Sequence, residues 1–309
     1  MPYVFGPVPS RRLGISLGVD LIPPKTCTFD CLYCQVGRTT KRTVSPKPFV
    51  PVREVVEQVK KKLLKSVPDA ITLAGSGEPT LYSEIDQVIA SIKNITKKKV
   101  AILTNGSLFW RKEIRNRVLE ADVIMPTLTS TYDQTFKMIH NPHPELDLAM
   151  VIDGLKRLRQ DYRGQMFLEV VLLGGINDTG KEIEGLKAVI DQISPEKIQL
   201  NTVVRPPADS RAISLGIKKL EEIMTFFGKN AEIVAEPRVT GRVSEHRSLI
   251  SGLLEMVKRR PLRPEDIATA LNLSLEEVED LVKGLLIKGQ IRKQEHSKEI
   301  YYLSKENIH

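Results

Sequence analysis

All three cysteines of this 309-residue chain fall within eight residues, Cys27–Thr28–Phe29–Asp30–Cys31–Leu32–Tyr33–Cys34, spaced C-x3-C-x2-C. A chain that spends every thiol in one short loop is placing thiolates on one metal centre. A structural zinc ion needs four ligands, and the nearest histidine in sequence is His140. A disulfide framework needs an even cysteine count and an oxidising compartment, and neither is indicated. Three thiolates match three irons of a [4Fe–4S] cluster and leave the fourth iron open to an outside ligand.

The chain around this loop alternates between short apolar runs and stretches with helical periodicity. Strands are expected at 16–22, 70–74, 100–103, 123–127, 166–173 and 197–203, with helices at 51–65, 82–93, 110–119, 132–139, 147–160, 181–193 and 217–227. A strand-like stretch follows at 232–235, and residues 1–24 read as a Pro- and Arg-rich arm that leads into the first strand. Six strands alternating with helices imply parallel pairing through right-handed crossovers. Alternation alone does not choose between a barrel and an open sheet. Both put binding sites at the C-terminal ends of strands, and the unusual residues of this chain lie there. They are Gly75–Ser76–Gly77–Glu78–Pro79, then Thr104–Asn105–Gly106, the run GGINDT at 174–179, and Arg205–Pro206–Pro207. Glu169 is the one charge in its strand, and an inward-facing carboxylate needs a partner.

The remaining chain reads as a second unit. Residues 1–235 form the strand–helix region, 236–246 a polar linker with Pro and Gly, and 247–309 three helices followed by a hairpin. The last pattern resembles a winged-helix domain, with Ser274 placed to cap the third helix. That helix opens Leu275–Glu276–Glu277–Val278–Glu279–Asp280. In helix-turn-helix DNA readers this end enters the major groove, where four carboxylates would repel phosphates. Major-groove reading is therefore not expected. The unit is left to grip a peptide or protein, to pack on the barrel, or to touch RNA through Arg292, Lys293 and Lys298.

At 41% hydrophobic and 27% charged residues, the chain has the make-up of a soluble globular protein. The N-terminus lacks an apolar signal region and no apolar run is long enough to span a membrane. No membrane partner is expected, and the cytoplasm is the expected compartment, since cluster thiols must stay reduced. The net charge of +8 permits a polyanionic partner. Residues 241–309 hold 12 basic against 11 acidic side chains, so almost all the excess lies in the strand–helix region.

The run C-x3-C-x-aromatic-C, with Tyr33 as the aromatic, resembles the signature of the radical S-adenosylmethionine (SAM) superfamily. The resemblance implies an incomplete (β/α)6 barrel, a [4Fe–4S] cluster on Cys27, Cys31 and Cys34, and SAM chelated to the open iron. It further implies an enzyme: a flavodoxin- or ferredoxin-type donor reduces the cluster, SAM is split, and a 5′-deoxyadenosyl radical abstracts hydrogen from a substrate. Gly75–Ser76–Gly77–Glu78–Pro79 resembles the family's Gly-Gly-Glu-Pro motif, with serine in place of the first glycine. There, backbone groups and Glu78 would hold the SAM amine. Tyr33 would lie against adenine or shield the cluster. Asn105 would sit near the sulfonium or serve as a turn residue with positive φ. Ser130, beside Thr129, would reach the SAM ribose or carboxylate. Glu169 would meet a ribose hydroxyl or an arginine, and Asn201 and Arg205 adenine or an anionic group. No side chain stands out as a general acid, base or radical relay. His140 and His143, in the run HNPHP, read as surface loop residues.

The opening FGPVPSRRLGISLGVD, with INDT and RPP further on, resembles a branch that contains the wyosine-base synthases, which modify tRNA. Those enzymes carry more cysteines for a second cluster, which this chain does not have. What carries over is modification of a macromolecule, with RNA slightly ahead of protein or peptide and a small metabolite third. A non-catalytic, metal-stabilised winged-helix regulator is the rival from another class. It leaves the glycine-rich and Asn/Arg strand ends unexplained.

Overall fold

The chain begins with a strand that its own sequence disguises. Val4–Ser10 (β1) pairs antiparallel with Gly14–Val19 (β2), although Gly6, Pro7 and Pro9 interrupt it. β1 is the edge of the sheet, where a proline leaves no ladder hydrogen bond unmade. The expected arm is thus a hairpin. The computed structural model describes residues 2–234 and 246–305. The segment read as a linker, 236–246, lies outside the described residues except for His246.

Beyond β2 the chain enters the cysteine loop, flanked by a two-residue parallel ladder of Thr26–Cys27 (β3) with Lys41–Arg42 (β4). Helix Val52–Leu63 (α1) then leads to Ala70–Leu73 (β5). A single 3-10 turn, Pro79–Leu81, precedes Ile85–Ile95 (α2), Lys99–Thr104 (β6) and Lys112–Val118 (α3). Val123–Pro126 (β7) is followed by Asp133–His140 (α4), Leu148–Asp161 (α5) and Gln165–Leu172 (β8). Gly180–Ile193 (α6), Lys197–Thr202 (β9), Ile217–Phe227 (α7) and Ala231–Ile233 (β10) complete the sheet region.

The sheet order is β1-β2-β5-β6-β7-β8-β9-β10, parallel from β2 onward. Strands β5 and β7 are buried along their whole length, as parallel strands covered on both faces must be. On α1, Val55, Val56 and Val59 are buried while Lys60 and Lys61 face outward. The sheet curls. In the turn between β1 and β2, Arg11 donates to Asn201 of β9 at 3.1 Å, and Arg12 forms an ion pair with Glu169 of β8. Strands at opposite ends of the ladder can share such contacts only if the sheet wraps around an interior. The result is an open barrel with a gap between its first and last strands.

Residues 246–305 fold as His246–Arg259 (α8), Pro264–Leu271 (α9), Leu275–Ile287 (α10) and the antiparallel hairpin Ile291–His296 (β11) with Glu299–Ser304 (β12). Ser274 and Glu277 cap α10 reciprocally, an arrangement that satisfies two otherwise orphaned backbone donors. Ser297 and Lys298 both have positive φ, as a two-residue hairpin turn requires. These elements meet both sides of the barrel gap. Phe5 and Val8 of β1 share an apolar core with Leu253, Met256, Leu262 and Ile267. On the far side, the Tyr301 hydroxyl donates to the Val204 carbonyl just after β9.

Candidate functional site

The cysteine loop is held by backbone bonds rather than by its own regular structure. Asp30 N donates to His140 O at 2.8 Å, Leu32 N to Ile139 O at 2.9 Å, and His143 N to Thr28 O at 2.9 Å. Phe29 and Leu32 are buried beneath it as anchors. The three thiols are free. Burial, with the nearby Glu78 charge, pushes Cys27 up to about 12. Cys31 and Cys34 are raised as well, by burial first, and for Cys31 next by the neighbouring sulfurs.

Three half-buried thiols that repel one another as anions are a poor arrangement unless an electropositive centre draws the protons off, as metal ligation does. This soft donor set suits iron–sulfur ligation. Among the described residues no three His, Cys, Asp or Glu side chains close around a single ion. A cluster needs only one thiolate on each of three irons.

The glycine-rich segment clasps the start of this loop. Lys25 N donates to Ser76 O at 2.9 Å and Glu78 N to Thr26 O at 3.3 Å. A Cβ on Gly77 would run into the Thr26 carbonyl, and one on Gly75 into the Asp20 carboxylate, so both positions need glycine for close approach. Ser76, where the family motif has glycine, donates from Oγ to Asp20 at 2.6 Å. Glu78 is buried and accepts from Thr80 N, Thr80 Oγ1, Thr104 Oγ1 and Asn105 N at 2.6–3.0 Å. Burial still pushes its carboxyl up, and no ion pair reaches it among the described residues. Asn105 carries its side chain to Thr28 Oγ1 at 2.7 Å and towards Cys27 Sγ at 3.6 Å. The positive φ expected there belongs to Gly106 instead.

Inside the barrel lies a cavity of about 330 Å³. Tyr33, Cys34, Gly75, Glu169, Asn201 and Arg205 share its wall. Glu169 has its arginine, Arg12, and also accepts from Thr127 Oγ1 at 3.1 Å and Asn201 Nδ2 at 2.9 Å. Ser130 stands apart: its hydroxyl is buried and donates to Glu182 at 2.7 Å. Asn177 ties the turn after β8 together through bonds to Thr129 O, Val171 O and Leu173 N.

His140 corrects the sequence reading. It is 2% exposed, and its ring packs 4.7 Å from Phe29 and 5.0 Å from Phe136. Nδ1 is 3.1 Å from Cys31 Sγ, and Nε2 is 2.7 Å from Thr129 Oγ1. Burial pulls the imidazole down to about 3. The missed signal was periodicity: His140 follows Phe136 by four residues, on one face of a helix.

An open parallel barrel with three cysteines in one loop, Cys34 among them on the cavity wall, defines a class. The chain belongs to the radical SAM superfamily, whose family model matches residues 21–187. Enzymes of this family use a [4Fe–4S] cluster and SAM. The chain is 30% identical to UPF0026 protein MJ1312 of Methanocaldococcus jannaschii, over 98% of its own length and 96% of that protein, and belongs to that family as well. It is 36% identical to a protein named GTPase Obg from Brachyspira hyodysenteriae, over 94% of this chain, but it spans only 43% of that relative. In fold it is similar to TYW1 with a lysine–pyruvate adduct bound, with a TM-score of 0.53 at 14% identity, covering 74% of this chain and 76% of that one.

Proposed function

We propose that this protein is a radical SAM enzyme in which Cys27, Cys31 and Cys34 hold the cluster and the barrel cavity receives SAM and an RNA substrate. When bound, the reduced cluster supplies the electron that splits SAM and yields a 5′-deoxyadenosyl radical. The observation that carries the reading is the clasp between the cysteine loop and Gly75–Glu78, which brings Cys34 and Gly75 to the wall of one cavity. The two glycines let the backbone come close enough for its carbonyls to receive an ammonium. Glu78, an internally bonded carboxylate with no cation paired to it among the described residues, supplies the negative field for that group. Tyr33 and the β8–β9 side chains Glu169 and Asn201 offer a flat surface and polar atoms for a nucleoside. Tyr33 and the apolar stretch at Val171 and Val203 limit water around it.

RNA is favoured over peptide because the basic excess lies on the barrel region and several arginines line the cavity itself. The test is anaerobic reconstitution of the full chain. About four irons and four sulfides should assemble, and dithionite with SAM should release 5′-deoxyadenosine. Zinc alone in the cysteine loop, with no cluster, would sink the proposal.

A further inference from the structure

The arginines of the cavity exceed what its carboxylates need. Arg11 and Arg12 enter from the β1–β2 turn, Arg205 from the end of β9, and Arg259 and Arg260 from the end of α8. Among the described residues Glu169 is the only carboxylate on the same wall, and Arg12 takes it. Arg259 is turned aside to Asp20 at 3.0 Å and Glu255 at 2.8 Å. Among the described residues Arg205, 6% exposed, has only a long contact of 3.5 Å to Asp266. Arg260 donates to the Pro9 carbonyl at 3.2 Å. The Nε atoms of Arg205 and Arg260 are both buried and make no hydrogen bond among the described residues.

Buried guanidiniums with open donors and like-charged neighbours are costly. Burial first, then nearby arginines, pull Arg12 and Arg260 down to about 9. An anion in the cavity would relieve both the charge and the open donors.

We propose that Arg205 and Arg260 form an oxyanion site that takes a phosphate group of the substrate inside the barrel cavity. Guanidiniums arriving from separate elements suit a tetrahedral anion with oxygens in several directions. A planar carboxylate is satisfied by a single guanidinium fork. The site also explains why α8 and α9 are packed over the barrel gap: Arg260 comes from α8, and Asp266 of α9 steadies Arg205. The assignment rests on the reading of the cavity as a substrate chamber, and its test is independent of SAM cleavage.

The experiment is calorimetric titration of inorganic phosphate into the cluster-loaded full chain, with and without saturating SAM. Phosphate should bind, SAM should not displace it, and Arg205→Gln and Arg260→Gln should each weaken it at least about tenfold. Arg260→Lys, which keeps the charge and loses the fork, should fall between. Cluster absorbance and melting temperature report whether each variant is folded. The Arg260 side chain makes one hydrogen bond among the described residues, to the Pro9 carbonyl, and melting of its variants keeps the test decisive if Arg205→Gln does not fold. Phosphate affinity unchanged in the folded variants, or no phosphate binding by the wild type at millimolar concentration, overturns the proposal. So does displacement by SAM with an equal loss of SAM affinity in the variants, which would give these arginines to the SAM carboxylate. Phosphate binding without any release of 5′-deoxyadenosine would instead count against the proposed function and leave the anion site standing.

Discussion

The Nδ1 atom of His140 lies 3.1 Å from the Cys31 sulfur, and its other nitrogen lies 2.7 Å from the Thr129 hydroxyl. A thiolate carries no hydrogen. Once Cys31 is ionised, the proton of the neutral imidazole must sit on Nδ1 and point at sulfur, with Nε2 accepting from Thr129. With Cys31 holding the cluster as proposed, such a bond would delocalise charge from that ligand and raise the cluster's reduction potential. His140→Phe keeps an aromatic ring against Phe29 and Phe136 and removes the donor. The variant should assemble its cluster, with a midpoint potential lower by on the order of tens of millivolts, read by redox titration followed by electron paramagnetic resonance. An unchanged potential would reduce His140 to packing. At this scale the cysteines and the glycine-rich run were legible in the sequence. His140 was not, because the run HNPHP reads as a loop, and only the path of α4 beneath the cysteine loop buries its first histidine.

At the scale of elements, α9 depends on one carboxylate. Asp266 is 2% exposed, accepts from the Arg263 backbone at 3.2 Å, and stands 3.5 Å from Arg205 across the contact with the barrel. Burial alone would raise its pKa, yet Arg205, Arg260 and Arg263 together hold it below the usual range. Asp266→Asn should destabilise the chain by about 3 kcal/mol, the lower end for breaking a buried ion pair. A carboxyl depressed in the folded state adds stability that is complete above its unfolded pKa and is lost as pH falls through the folded value. The gap in urea midpoint between wild type and variant should therefore hold steady from neutral pH to about 4.5 and shrink below about 4. A gap that stays constant into stronger acid would show that the Asp266 charge contributes nothing.

For the whole molecule, the C-terminal elements act as a wall of the cavity. Packing on the barrel was one of the readings open to this unit from the sequence. The structure buries Phe5 and Val8 against Leu253, Met256 and Leu262 and ties Asp20 to Arg259. Deleting residues 246–309 uncovers two large apolar side chains on an edge strand, each worth about 1.5–3 kcal/mol when buried, and strands a buried carboxylate. The truncated chain should lose roughly 5 kcal/mol on this count and aggregate, measured by thermal melting and light scattering. A truncated chain that melts at the wild-type temperature would show the seam to be energetically idle. Among the described residues no helix is long and apolar enough to cross a membrane.

By itself the sequence determined whatever depends on local pattern: the thiol spacing, the alternation of strands and helices, the glycine-rich strand ends, and the cap at Ser274. Each is a relation between residues a few positions apart, where backbone geometry leaves few choices. Only the tertiary structure decided that β1 is a strand, because an edge position forgives its prolines. It also decided that Glu169 answers to Arg12, 157 positions earlier in the chain, and that Arg205 and Arg260 meet in one cavity. Those contacts depend on the curl of the sheet and on what covers its gap, and both are set by the packing of the complete core.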